Sequence, residues 1–533
     1  MDEMRRRRFL KNTLAAGAGL ITASSIHPFS VPAQAEKDRK RPNVLVAIAD
    51  DWSSPHAGAY SDPLVQTPAF DRVARDGCLF TQAFVAAPQC SPNRAALLTG
   101  RQIWQNEEAG THSSLFPSKF AVYPDLLEQA GYHVGYTGKP WSPGNWEAGG
   151  RKRNPAGPEY NQRKMEPSTS GISSVDYAGN FEDFLQAKPA EAPFCFWYGS
   201  HEPHRKYEVD SGLKSGKDLD KVVVPPFLPD TPEIRKDLLD YYLEVEWFDR
   251  HLGRILECLE KNGELENTLI VVTGDNGMSF PAAKANLYEY GIHVPLAVCW
   301  KAGFNGGRTV KDMIGFVDFA PTFLEAAGLI PPPEMTGRCF LDVLLSNESG
   351  MVDRTRNVIL SGRERHSHAR FDNLGYPARA IRTREYLYIR NFVPERWPAG
   401  DPPGYHDIDE SPTKTFLIQH ADVEEYKNYF ESAFSQRPAE ELYNIQKDPG
   451  CRKNLAESGK FQNPREEVHT RVKHRELRSR LNTLLLEQKD PRVLGTGDIF
   501  DSYPRFANMR DTLGGFREQG KYNPKYQIPK GNR

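Results

Sequence analysis

The stretch Cys90-Ser91-Pro92-Asn93-Arg94-Ala95-Ala96-Leu97-Leu98-Thr99-Gly100 decides how this chain is read, because it sets a nucleophilic side chain at the start of a short helix. Ser91 is a favourable N-cap, Pro92 suits the first helical position, and Gly100 can close the helix in a left-handed conformation. Cys90 then lies where unpaired backbone N–H groups and about +0.5 of helix-dipole charge converge, which makes an anion site. Arg94, four residues on, shares that helical face and can turn its guanidinium back toward whatever Cys90 carries. A thiolate is one chemistry such a place supports, since a helix N-terminus and an arginine both lower a cysteine pKa.

Outward from this segment the chain alternates strands and helices. Val44 to Ala49 is the continuous apolar run of a buried parallel strand and ends in Asp50-Asp51. Thr67-Pro68 opens a helix that Gly77 closes. A helix around Pro124 to Ala130 precedes a strand from Tyr132 to Thr137, which runs into Gly138-Lys139. Pro193 to Tyr198 leads as a strand to His201-Glu202-Pro203-His204. Thr231-Pro232 caps the longest helix, whose apolar positions continue to Leu259 before Gly263. Leu269 to Thr273 then delivers Gly274-Asp275-Asn276-Gly277. Four polar clusters thus follow four predicted strands, and in an open α/β sheet ligands bind beyond the carboxyl ends of strands, so one crevice can gather all four. The expected fold class is α/β, a large mixed, mostly parallel sheet flanked by helices. After about residue 345 charge rises, and Ala378 to Phe392 reads as a hairpin around Thr383-Arg384-Glu385, the mark of a smaller C-terminal α+β subdomain. From about Pro491 the sequence is Gly-, Pro- and Arg-rich without periodicity and is expected to wrap the surface or to be partly disordered.

The 533 residues carry 68 Lys+Arg against 70 Asp+Glu, a balance that argues against nucleic acid as a partner. Seven cysteines, Cys78, Cys90, Cys195, Cys258, Cys299, Cys339 and Cys451, are odd in number and scattered, so disulfides do not carry the fold. The first 35 residues are a separate object: Arg5-Arg6-Arg7-Arg8-Phe9-Leu10-Lys11, a weakly apolar run and Ala33-Gln34-Ala35 resemble a bacterial twin-arginine signal peptide. That run is too short for a membrane span. The implied product is exported through the Tat translocon and is periplasmic or secreted. Among the polar clusters, Asp50, Asp51, Asp275 and Asn276 offer hard oxygens, with no His or Cys beside them in sequence as zinc prefers, which points to Ca²⁺ ahead of Mg²⁺.

Cys-x-Pro-x-Arg followed by x-x-Leu-x-Thr-Gly resembles the signature of the type I sulfatases, and Cys90, Pro92, Arg94, Leu97, Thr99 and Gly100 fill it without a gap. The resemblance implies an alkaline-phosphatase-like sandwich and oxidation of Cys90 to formylglycine by a formylglycine-generating enzyme. The hydrated aldehyde of that family attacks sulfur through one hydroxyl and expels sulfate through the other. Asp50-Asp51 and Asp275-Asn276 match the two halves of the family's metal site, completed by the oxygen derived from Cys90. Lys139, Arg94 and Lys284 are the implied cations for sulfate, and His204 in His201-x-Pro203-His204 is the implied general acid toward the leaving group. The family pattern places a His two residues after Lys139, where this chain has Trp141. We therefore expect Trp141 to line the sugar side of the pocket and His201 to contact substrate or supply the missing base.

Segments such as Gln105-Asn106, Val224-Pro225-Pro226-Phe227 and Asn286-Leu287-Tyr288 are similar to the sulfamidase branch, heparan N-sulfatase and its bacterial relatives, and add Asn106 as a substrate-binding candidate. The resulting expectation is a signal peptide over 1–35, a catalytic sulfatase domain over 36–345 and a C-terminal subdomain and tail over 346–533. Its activity would be removal of sulfate, as ester or sulfamate, from a sulfated carbohydrate. The rivals are a phosphonate or phosphate ester hydrolase of the same superfamily and, given Trp141, a non-catalytic protein that binds sulfated glycan.

Overall fold

Two sheets organise the chain in a computed structural model that describes residues 40–457 and 464–506. Residues 1–35, read in the sequence as a signal peptide, lie outside those residues. The first sheet holds β1 (Asn43–Ala49), β2 (Cys78–Phe84), β3 (His133–Gly138), β4 (Phe194–Gly199), β5 (Thr268–Gly274), β6 (His293–Cys299), β7 (Arg308–Val310) and β8 (Ile314–Gly315). Its order is β3-β4-β1-β5-β6-β2-β7, with β8 also on β2. Strands β3, β4, β1 and β5 run parallel, and β6 pairs antiparallel with both β5 and β2. Every residue of β1 and β5 is buried, the run expected of strands covered on both faces.

Helix α1 (Pro68–Asp76) ends at Gly77 as predicted. The long helix Pro232–Lys261 opens on Thr231, whose side chain accepts from the Ile234 N–H, and it buries an apolar face from Ile234 to Leu259. The second sheet, with β9 (Val358–Arg363), β10 (Ala378–Thr383), β11 (Tyr386–Asn391) and β12 (Glu440–Asn444), is antiparallel in the order β12-β11-β10-β9. All four strands follow residue 345, and the predicted hairpin is β10 and β11. Residues from Arg41 onward cluster as one compact unit that contains both sheets. The segment after Pro491 departs from a featureless surface run: it forms two short helices, and the carbonyls of Tyr503 and Pro504 accept from the buried Arg365. All seven cysteines are unpaired. Among the described residues no helix is long and apolar enough to cross a membrane.

Candidate active site

Strand register assembles the site. Ala49 at the end of β1 faces Gly274 at the end of β5, so Asp50 and Asp275 leave adjacent strands at the same level, joined by the Asp275 N–H to the Ala49 carbonyl at 2.9 Å. On the other side of β1, Ile48 pairs with Gly199, and Gly199 pairs with Gly138. Gly138 and Gly199 are required there: a Cβ on Gly138 would come within 1.9 Å of the Gly199 carbonyl oxygen, and one on Gly199 within 1.9 Å of that of Lys139. Their closeness lets the Lys139 N–H donate to Gly199 at 2.6 Å and brings Lys139 over the strand ends. Asp51 turns back in the left-handed region, φ 75°, and its N–H donates to Asp275 Oδ1 at 3.0 Å.

Cys90 opens helix α2 (Cys90–Thr99), every residue of which is buried, and Gly100 closes it with φ 63°. The expected cap is corrected. Gln89 is the N-cap and Ser91 lies inside the first turn, where its Oγ accepts from the Ser113 N–H at 3.1 Å. Asn93 does the anchoring, accepting from the Ala86 N–H and donating to the Asp275 carbonyl. Cys90 Sγ lies 3.3 Å from Asp50 Oδ1. Burial and the neighbouring Asp50 push the thiol well above its ordinary pKa, overriding the helix terminus that favoured a thiolate in the sequence.

Arg94 is also corrected in part. Its Nε donates to Asp275 Oδ2 at 2.8 Å and its Nη1 to the carbonyls of Lys139 and Pro140, while Nη2 stands 3.8 Å from Asp50 Oδ1. Fully buried beneath the strand ends, it holds the carboxylates and does not line the open cavity. Lys139 and Lys284 do line it. Lys139 pairs with Asp50, and Lys284 bridges Asp51 at 2.6 Å and Asp409 at 3.1 Å. His204 donates through Nδ1 to the Arg205 carbonyl at 2.7 Å, since a carbonyl only accepts, which leaves Nε2 toward the cavity. The Arg205 guanidinium grips Asp237 with two hydrogen bonds of 2.6 and 2.8 Å and so ties this loop to the long helix.

The cavity, about 550 Å³, is open to solvent and is lined by Asp50, Cys90, Lys139, His201, His204 and Lys284 from the expected set. Sequence reasoning missed His112, His366, Ser367, Asp409 and Arg505, which line it as well. His366 and Ser367 follow β9 directly, the same strand-then-polar pattern that located the other clusters, and four of the five missed residues come from beyond residue 345. The His112 and His366 rings meet edge to face at 4.5 Å. Asp409 and Arg505 carried no local signal.

Two expected contacts fail. Trp141 is 1% exposed, donates its indole N–H to the Ser91 carbonyl at 3.0 Å and meets Phe116 edge to face, so it buttresses the turn beneath Cys90 and does not line the sugar side. An indole that fills a closed space with its one donor satisfied has no face left for a ring of substrate. Asn106 is buried at the far end of α2, between the Thr99 hydroxyl and the Arg101 carbonyl.

The residues present fit a divalent cation. One ligand atom each from Asp50, Asp51, Asp275 and Cys90 all lie within 4.8 Å of one another, and the buried Asn276 Oδ1 has no hydrogen-bond partner. Burial raises Asp51 and Asp275 to about 6, against the pull of Lys284 and Arg94 and with Asp50 adding repulsion. Asp50, also raised by burial, is held well below the usual carboxylate range by Lys139, with His204 and Arg94 behind it. A divalent cation among these carboxylates would relieve their mutual repulsion. The sequence impression that no His or Cys accompanies the oxygens is revised, because Cys90 and His204 each join Asp50 in one such group.

A cysteine at a helix start, a carboxylate cluster and two lysines beyond parallel strand ends make an α/β protein with a pocket suited to an anionic group. The sulfatase family model matches residues 42–329, so the chain belongs to the sulfatase family, hydrolases of sulfate esters and sulfamates. A second model, N-sulphoglucosamine sulphohydrolase, C-terminal, matches residues 282–397. Human N-sulphoglucosamine sulphohydrolase is 29% identical over 79% of this chain and 88% of its own length. An ulvan-active sulfatase of Formosa agariphila is 26% identical over 80% of this chain and 73% of its own. A solved structure described as a complex with its substrate D-glucosamine-2-N,6-O-disulfate superposes with a TM-score of 0.61 at 21% identity, over 85% of this chain and 99% of that one. The fold is thereby that of the alkaline-phosphatase-like sulfatases.

Proposed function

We propose that this chain removes sulfate from a sulfated saccharide, an amino sugar foremost, with formylglycine formed from Cys90 as nucleophile. The carrying observation is the group of Cys90, Asp50, Asp51 and Asp275 within 4.8 Å. Sulfur is a soft donor misplaced among hard carboxylates, and oxidation of Cys90 to an oxygen-bearing side chain removes that mismatch. Formylglycine would supply a hydrated aldehyde as the attacking oxygen. Asp50, Asp51, Asp275 and Asn276 would hold Ca²⁺, which would polarise the sulfate oxygens. Lys139 and Lys284 face the cavity and grip sulfate, Arg94 fixes the carboxylates, and His204 protonates the departing oxygen or nitrogen through Nε2. His201 at the exposed rim meets the saccharide.

Polar walls from His366, Ser367 and Asp409 suit a sugar better than an apolar sulfate ester. The names of the human relative and of the bound substrate in the structural neighbour support a sulfated glucosamine, while the Formosa relative supports an algal polysaccharide. Residues 1–35 support export through the Tat translocon to the periplasm or beyond, after a formylglycine-generating enzyme has acted. Residues 36–345 are read as the catalytic domain and 346–533 as a subdomain that completes its cavity wall.

The test is release of sulfate from a panel: N-sulfoglucosamine, 6-O-sulfated N-acetylglucosamine, an ulvan oligosaccharide and an aryl phosphonate. Sulfate is expected from a glucosamine derivative. Release from no sulfated sugar, or phosphonate cleavage faster than any desulfation, overturns the reading.

Calcium is expected to raise the melting temperature more at pH 7.5 than at pH 5. In the metal-free chain Asp51 and Asp275 titrate near 6, above the ordinary 3.8, so their contribution to stability is full below about 4 and lost as pH rises through 6. At pH 7.5 both are ionised and repel until a cation arrives, whereas at pH 5 protons compete with the metal. Scanning calorimetry with calcium and with chelator reads the difference. An equal shift at both pH values, or stoichiometric zinc in purified active enzyme, refutes the calcium site.

A further inference from the structure

A larger concavity, about 670 Å³, shares no lining residue with the Cys90 cavity. It lies between the second sheet and the helix Pro464–Glu487, and three guanidinium groups, Arg390, Arg475 and Arg478, line it with a single carboxylate, Glu440. That carboxylate is already engaged, by His474 at 2.8 Å and Arg478 at 3.3 Å. Arg390 stands in register with Glu440 across β11 and β12, yet its guanidinium lies over the Phe392 ring, 4.6 Å from the centroid, and reaches Asn482 Oδ1 at 3.4 Å. Arg475 is exposed and makes no ion pair with any described residue. The groove therefore carries excess positive charge in the form of planar forks, one of them held flat against an aromatic ring.

We propose that this groove is a second, non-catalytic binding site for a sulfated saccharide chain, an inference that rests on the sulfated-saccharide reading of the active site. A guanidinium presents two parallel N–H donors matched to two oxygens of one sulfate group, which a lysine does not. Ser479 and Asn482 offer polar partners for sugar hydroxyls on the same wall. The size exceeds that of the catalytic cavity, as an extended oligosaccharide needs. A polymer held here stays near the enzyme while its ends are sampled, raising the effective concentration at the active site.

The test uses the full chain and a size-defined heparin oligosaccharide as probe, with binding read by titration calorimetry. The triple variant Arg390→Ser, Arg475→Ser, Arg478→Ser is expected to bind it about tenfold or more weakly, and Arg475→Glu alone several-fold, with a shallower dependence on salt. Turnover of a sulfated monosaccharide stays at the wild-type rate, because none of these residues lines the catalytic cavity. A hyaluronan fragment, carboxylated and unsulfated, and an RNA of equal charge are expected to bind wild type at least tenfold more weakly. Equal heparin binding by wild type and both variants overturns the proposal, and so does RNA or hyaluronan binding as tightly as heparin. Sulfate release with unchanged heparin binding sinks the groove alone. Lost heparin binding in a chain that desulfates nothing on the panel sinks the catalytic reading and leaves the groove.

Discussion

Cys90→Ala is expected to lower turnover of every sulfated substrate by about four orders of magnitude or more, the loss that follows removal of a covalent nucleophile. The substitution removes a single buried atom, the sulfur against Asp50, and a melting temperature near that of wild type would show that chemistry and not folding has failed. The same geometry separates two explanations for the nucleophile. In the metal-free chain burial and Asp50 favour the protonated thiol, so an enzyme that used a plain thiolate there would gain rate with rising pH. Formylglycine has no such requirement. Peptide mass spectrometry of active enzyme should therefore find Cys90 converted to the aldehyde or its hydrate, and protein made in a host without the generating enzyme should be folded and inactive. A homogeneous free thiol in fully active protein refutes the assignment. Cys90→Ser should be as inactive as Cys90→Ala wherever the host does not oxidise serine, because an unassisted hydroxyl beside a carboxylate is a weak nucleophile.

The strand ends were legible in the sequence because each chemical cluster followed a buried apolar run, and parallel strands in register carry their next residues to one level. That is why Asp50, Lys139, His204 and Asp275 meet although some 225 residues separate the Asp50-Asp51 and Asp275-Asn276 segments. What local pattern could not show was whether a side chain would face the cavity or be spent beneath its floor. Arg94 and Trp141 were both read as facing substrate, and both are consumed beneath the floor, Arg94 by Asp275 and two carbonyls, Trp141 by the Ser91 carbonyl and Phe116. Ser91 and Pro92 obey helix-start preferences, yet the helix begins two residues earlier, at Cys90 with Gln89 as N-cap, and Asn93 stitches that turn to the Asp275 strand end without a side-chain cap. The wall from beyond residue 345 was missed for another reason. Asp409 and Arg505 reach the cavity through tertiary packing, and nothing in their neighbourhoods announces it, whereas His366 and Ser367 lie just past β9 in the strand-then-polar pattern that was not followed beyond residue 345.

His204→Ala is expected to slow hydrolysis of a sugar sulfate or sulfamate by about 10²–10⁴ while leaving an activated aryl sulfate within a few-fold, because a phenolate with a low pKa departs without a proton. The hydrogen bond from Nδ1 to the Arg205 carbonyl fixes which nitrogen is available, so a proton delivered to the leaving atom must come from Nε2 of the charged imidazolium. Burial and then Lys284 lower the pKa of this histidine, partly offset by Asp50 and Asp409. A lowered pKa shrinks the acid fraction as pH rises, and the rate on poor leaving groups should fall along a basic limb that begins below the ordinary histidine range. The aryl sulfate should lack that limb, and the variant should lack it with both substrates. Lys139→Ala and Lys284→Ala are instead expected to slow both substrate classes together, since both lysines line the cavity in which we place the sulfate common to the two. Equal slowing of sugar and aryl sulfate by His204→Ala, with the limb intact, would show that His204 positions the substrate and that the proton comes from elsewhere, with the missed His112 the next imidazole on the cavity wall to test.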